Sequence, residues 1–205
     1  MKNFKDKKIY LVTDHRLEFD SLLKKVREAL EAGVSLVQYR DKDVSTKVMV
    51  ERGRKLKDLC DEFNSILLVN DRIDVALAID AGGVHVGQDD MDSKDARKIL
   101  GLEKIIGVST KTLEESIKAL ESGADYLGCG AIYSTSTKDT SVISIETLKE
   151  IRNKVKIPVY GIGGIKLDNI TPDLKENVDG VAVITDILDS EDIKETVNKF
   201  SEKLM

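Results

Sequence analysis

At 205 residues, 41% hydrophobic and 34% charged, the chain has the composition of one globular unit, residues 1–205, with enough apolar material for a single substantial core. Its formal charge of −5 excludes a general nucleic-acid binder, which needs a basic face, so any anion site must be basic only locally. Cys60 and Cys129 are too few for a disulfide scaffold or a zinc cluster, and no apolar run approaches the roughly 18 residues of a membrane span. A cytoplasmic protein without membrane partners is expected. A homo-oligomer is compatible with the sequence, which leaves the oligomeric state open.

In chain order, short apolar runs alternate with amphipathic stretches. A strand at 9–13 leads to apolar residues at helical spacing over 21–32, then a strand at 34–38 and a helix over 46–63. Strands follow at 66–69, 83–86, 105–108 and 125–129, with helical patterns over 93–100 and 112–122 between the later ones. A polar insertion at 137–144 is the candidate lid. A helix over 145–154, strands at 158–162 and 181–184, and a helix over 190–204 complete the chain. Glycines at 33, 82–83 and 123 stand where a helix can close before the next strand. Near-continuous apolar strands joined by helices are parallel and covered on their outer face. About eight such units in this length fit a closed single-domain (β/α)8 barrel of the α/β class better than the alternative, an open doubly wound sheet.

In such a barrel every strand's C-terminal end opens on one face, so residues just after the apolar runs converge from distant sequence. Arg40 and Lys42 follow the second strand, Asn70 and Asp71 the third, Gln88, Asp89 and Asp90 the fourth, Ser109 the fifth, and Thr135, Thr137 and Lys138 the sixth. Magnesium takes hard oxygen ligands, commonly one or two carboxylates shared with substrate phosphate. Asp71 with Asp90, beside several cations, suits it, with Asp89 the neighbouring candidate. The plainer alternative for Asp71 is a charge at a helix start, and Asp92 reads as a helix cap. His85, inside the apolar run of the fourth strand, reads as a hydrogen-bonded interior histidine rather than an acid or base. Gly161, Gly163 and Gly164 end the seventh strand and Ile184 and Thr185 the eighth, a position where backbone N–H groups bind phosphate in barrels.

Over nearly its full length the chain resembles the thiamine phosphate synthases. The motifs are Gln38-Tyr39-Arg40-Asp41-Lys42, Asn70-Asp71-Arg72, Gly87-Gln88-Asp89-Asp90, Gly107-Val108-Ser109, Thr135-Ser136-Thr137-Lys138 and Gly163-Gly164-Ile165. The resemblance implies a transferase of thiamine biosynthesis that joins hydroxymethylpyrimidine diphosphate to hydroxyethylthiazole phosphate by a dissociative mechanism, releasing pyrophosphate, with Mg2+ as cofactor. By position it implies Asp71 and Asp90 as metal ligands. Gln38, Arg40, Lys42, Asn70, Ser109 and Lys138 would contact the pyrimidine diphosphate, and Arg40, Lys42, Ser109 and Lys138 would serve catalysis. Thr135, Ser136, Thr137, Gly164, Ile184 and Thr185 would contact the thiazole phosphate. The chain departs from the family pattern at Asp41, Ser134, Thr185 and Asp186, and the last puts a carboxylate near the phosphate site. Two rivals are a thiazole tautomerase, which needs no diphosphate pocket, and a catalytically silent ligand-binding barrel.

Overall fold

The computed structural model describes residues 7–134 and 141–205, and in them eight parallel strands close into a barrel in chain order, with β8 returning beside β1. The strands are β1 (Ile9–Val12), β2 (Leu36–Tyr39), β3 (Ile66–Asn70), β4 (Gly83–Val86), β5 (Ile105–Thr110), β6 (Tyr126–Gly130), β7 (Val159–Ile162) and β8 (Gly180–Val183). Around them lie α1 (Phe19–Glu31), α2 (Thr46–Glu62), α3 (Ile73–Ala78), α4 (Ser93–Leu100), α5 (Leu113–Glu121), α6 (Ile145–Lys154), α7 (Pro172–Asn177), α8 (Thr185–Leu188) and α9 (Ile193–Leu204). The closed barrel, not the open sheet, is the fold.

Helix starts follow from capping chemistry. Ser45, Thr112, Ser144 and Asp192 each accept a backbone N–H with the side chain, satisfying donors that the first helical turn leaves orphaned. Asp92 caps α4 in the same way, as expected, accepting from Lys94 N–H at 2.9 Å. Gly33 and Gly123 take positive φ, 101° and 88°, just past α1 and α5. The six residues of α7 and the four of α8 are too few to imprint a helical period on the sequence.

Successive strand residues face opposite ways, and this alternation separates two packed layers. Outward residues such as Leu11, Val37, Leu67, Val84, Leu127 and Val181 pack against Val26, Leu56, Leu148 and Phe200 of the helices. Inward residues form a smaller core of Tyr10, Leu36, Leu68, Ile105, Tyr126 and Tyr160. Leu56 and Phe200 are fully buried, and truncation of either to alanine should cost about 2–5 kcal/mol.

The N-terminal face of the barrel is pinned by a device used twice. Asp125, just before β6, accepts the Ile106 N–H of β5 at 2.8 Å and pairs with Arg97 of α4 at 2.6 Å. Asp179, just before β8, accepts the Val159 N–H of β7 at 2.8 Å and pairs with Arg152 of α6 at 2.8 Å. Both carboxylates stitch a strand start to a helix, at the face of the barrel that serves stability. Chemistry is left to the other face.

Candidate active site

A cavity of about 590 Å³ opens at the C-terminal ends of the strands. Gln38, Arg40, Lys42, Asn70, Asp71, Asp90, Ser109, Gly164, Ile184 and Thr185 all line it, so ten of the residues singled out in the sequence meet in one place. Thr135, Ser136, Thr137 and Lys138, with the first half of the expected lid, lie outside the described residues.

Asp71 leaves β3 in a left-handed conformation, φ 60°, unusual for a residue with a side chain. Its N–H donates to the His85 carbonyl of β4 at 2.9 Å, while Arg72 N–H reaches back to Asn70 O at 2.7 Å. That tight turn makes Arg72, not Asp71, the residue that precedes α3, and no side chain caps the helix there. Asp71 therefore does not cap α3. Burial pushes the Asp71 carboxyl up from its ordinary pKa, the hydrogen-bonded, like-charged Asp90 beside it pushes the same way, and Lys42 and Asn70 oppose the shift. Lys42 Nζ lies 3.5 Å from Asp71 Oδ2. Asp90 accepts the Gly87 N–H at 2.8 Å, so its carboxylate is held by the loop that carries it. Asp89, its neighbour, also lines the cavity and is exposed, as Asp90 is.

The cationic arm after β2 has its own support. Arg40 N–H donates to Thr13 Oγ1 at 2.8 Å, and its guanidinium contacts His15 Nδ1 at 3.4 Å. Asp41 points away from the cavity and is buried, bonded to Arg52 of α2 at 2.8 Å and to the Tyr39 hydroxyl at 3.3 Å. Asp41 is thus a structural anchor between Arg40 and Lys42.

Gln38 and Ser109 stand deeper, at the ends of a hydrogen-bonded chain through the barrel interior. It runs Gln38 Nε2 to Tyr10 Oη (2.6 Å), Tyr10 Oη to Tyr126 Oη (2.7 Å), Tyr126 Oη to His85 Nδ1 (2.8 Å) and His85 Nε2 to Ser109 Oγ (2.8 Å). His85 is the interior, hydrogen-bonded histidine that the sequence suggested.

On the opposite wall, Gly163 and Gly164 follow β7 with φ 86° and 65°. A Cβ on Gly164 would stand 2.5 Å from the Ser134 carbonyl, so glycine is required by both conformation and space. Asp186 does not face an anion there: its Oδ2 accepts the Leu167 N–H at 2.8 Å, tying α8 to the short 3-10 turn Leu167–Asn169. The feared repulsion is turned aside. Lys111 and Lys166 also line the cavity, and sequence reasoning missed both. Each lies just past a strand-end motif already singled out, two residues after Ser109 and Gly164, which was the available signal. Cys60 and Cys129 are buried, and burial raises their thiols to about 12 and about 11, so neither is a ready nucleophile.

A family model described as thiamine monophosphate synthase matches residues 9–187. The chain is 53% identical over 201 residues to the thiamine-phosphate synthase of Clostridium perfringens (strain SM101 / Type A), covering 98% of this chain and 97% of that one. It is 50% identical over 197 residues to the thiamine-phosphate synthase of Clostridium acetobutylicum, covering 95% and 93%. Among solved structures, the thiamine phosphate pyrophosphorylase from Pyrococcus furiosus superposes with a TM-score of 0.89 at 40% identity, over 98% of both chains. Barrel, mouth-facing motifs and full-length relatives agree: this chain belongs to the thiamine monophosphate synthase family.

Proposed function

We propose that the open end of the barrel carries out thiamine phosphate synthesis as a dissociative group transfer between two phosphorylated small molecules. The C–O bond joining the pyrimidine methylene to its diphosphate breaks, and the electron pair leaves with pyrophosphate. The electron-rich aminopyrimidine spreads the resulting methylene charge, and the lone pair of the thiazole nitrogen then forms the new C–N bond. The products are thiamine phosphate and pyrophosphate, with no change in oxidation state.

The observation that carries this reading is the Asp71–Asp90 pair with Lys42 3.5 Å from Asp71, at the mouth beside Arg40. Two carboxylates held against each other suit a divalent cation. Among the described residues no group of three or more His, Cys, Asp or Glu gathers for a metal, so the remaining positions would fall to water and phosphate oxygens, the usual arrangement for magnesium. Bound there, magnesium would neutralise charge on the leaving diphosphate. Arg40 and Lys42 would hold the diphosphate, Asn70 would orient Asp71, and Gln38 and Ser109 would orient the pyrimidine. Lys138 is assigned to the leaving group by its motif. The backbone N–H groups around Gly164, Ile184 and Thr185 would take the thiazole phosphate, with Thr135, Ser136 and Thr137 joining them by motif. Positioning and charge stabilisation are the protein's contribution.

The test is to supply the purified protein with both substrates and follow thiamine phosphate and pyrophosphate with magnesium, then with a chelator. Magnesium-dependent formation of both products is expected. A protein that only isomerises the thiazole, or binds ligands without turnover, would contradict the assignment. No helix among the described residues is long and apolar enough to cross a membrane, and both proposed partners are small molecules.

A further inference from the structure

The interior chain from Gln38 to Ser109 crosses five strands, and its two ends line the cavity. Its middle members are shielded from solvent: Tyr10, Tyr126 and His85 are 1%, 0% and 6% exposed. The barrel makes room for them at two glycines. A Cβ on Gly107 of β5 would stand 2.0 Å from Tyr126 Cζ, and one on Gly128 of β6 would stand 2.9 Å from His85 Cε1. The rings are also packed edge to face, Tyr10 on Tyr126 with centroids 5.8 Å apart and Tyr126 on Tyr160 at 5.5 Å. Such packing leaves the phenols little freedom to change partners.

Proton counting gives the chain a direction. Burial keeps the phenols of Tyr10 and Tyr126 protonated, so each hydroxyl has one proton to donate. Gln38 donates through Nε2 into the Tyr10 oxygen, and although either phenol could donate in the Tyr10–Tyr126 contact, a relay that keeps this direction has Tyr10 donate to Tyr126. In that direction Tyr126 donates to His85 Nδ1. A neutral imidazole that accepts at Nδ1 carries its proton on Nε2, and that N–H faces Ser109 Oγ. Ser109 therefore accepts from behind, and its own hydroxyl proton is turned into the cavity.

We propose that His85 is a positioning residue that holds the Ser109 hydroxyl as a hydrogen-bond donor toward a ring nitrogen of the pyrimidine substrate. The ligand named here rests on the proposed function; the relay itself does not. Ring nitrogens of an aminopyrimidine only accept, so a hydroxyl already committed as a donor matches them without reorganisation. The Gln38 end bears on the same cavity, so the relay links the two polar groups proposed to meet the pyrimidine.

The experiment has a spectroscopic arm and a kinetic arm. The chain has two histidines, so nitrogen-15 NMR of the imidazoles assigns His85 by the signals lost in His85→Gln. Protonated Nε2 with pyridine-type Nδ1 is expected in the free enzyme, and an Nδ1-protonated ring overturns the relay whether or not the enzyme turns over. Kinetically, His85→Leu should lower kcat/KM for the pyrimidine diphosphate about tenfold, the scale of one buried hydrogen bond, without changing KM for the thiazole phosphate. His85→Gln, whose side-chain amide can still donate near Ser109, should recover most of that loss. In a Ser109→Ala background His85→Leu should add nothing, and an equal loss with and without the serine hydroxyl overturns the proposal. Should His85→Leu fail to fold, Tyr126→Phe keeps the ring and cuts the chain. It should release the His85 tautomer bias, and an unchanged tautomer contradicts the relay. A protein with the expected tautomer but no thiamine phosphate formation would instead refute the proposed function and leave the relay standing.

Discussion

Arg52 of α2 donates to the buried Asp41 carboxylate at 2.8 Å, joining a helix on the outside of the barrel to the segment that carries Arg40 and Lys42. The pair is half protected, since the Arg52 side chain is 31% exposed while that of Asp41 is 4% exposed. Removing the arginine leaves a carboxylate in a site that cannot hydrate it. Arg52→Met should destabilise the fold by about 1–3 kcal/mol and raise KM for the pyrimidine diphosphate, because the cationic arm loses its anchor. Urea titration together with steady-state kinetics measures both, and an unchanged midpoint would mean that Asp41 is hydrated or repaired by another partner.

Gly107 makes a different kind of prediction, about space. With Tyr126 Cζ only 2.0 Å from where a Cβ would stand, and the tyrosine fully buried, Gly107→Ala must displace a ring that three other aromatic rings contact. Overpacking of this sort costs about 1–3 kcal/mol. A melting temperature equal to that of the parent would show that the interior is looser than its contacts imply.

Gly164 combines conformation with proposed ligand approach. Substitution by valine would strain a φ of 65° and press a side chain on the Ser134 and Tyr133 carbonyls, at a wall of the cavity assigned to the thiazole phosphate. Backbone strain at such a site is worth about 1–3 kcal/mol. KM for the thiazole phosphate should rise far more than KM for the pyrimidine diphosphate. Equal changes in the two constants would make this glycine a folding requirement and nothing more.

Lys138 is assigned by motif alone, and its role concerns the leaving group. Loss of one preorganised contact to developing charge typically costs about 10²–10³ in rate, whereas an uninvolved surface lysine costs within about 0.5 kcal/mol. Lys138→Ala should therefore lower single-turnover pyrophosphate release at saturating substrates, and a near-parental rate removes it from the mechanism.

The barrel was legible in the sequence because parallel strands buried on both faces read as continuous apolar runs, and every strand fell within two residues of its expected place. The mouth was legible for a related reason: a residue just past an apolar run, such as Asp71 or Ser109, can only emerge on one face. What stayed hidden depended on side-chain direction. The sequence could not show that Asp186 turns to the Leu167 N–H, that Asp41 turns inward to Arg52, or that Tyr10 and Tyr126 connect Gln38 to His85. Those contacts span up to 116 residues, and no local pattern encodes them. Short α3, α7 and α8 escaped because four to six residues do not complete two helical turns.

In the proposed reaction Asp71 and Asp90 jointly hold the magnesium that meets the diphosphate. Single-turnover pyrophosphate release, followed against magnesium concentration in the parent, Asp71→Asn and Asp90→Asn, tests it most directly, with circular dichroism to show that each variant is folded. Each substitution removes one of two carboxylate ligands, so the magnesium concentration for half-maximal release should rise by about tenfold or more in both, with a lower limiting rate. A magnesium dependence identical to the parent's in both folded variants would contradict the assignment and, with it, the account of how this barrel expels pyrophosphate.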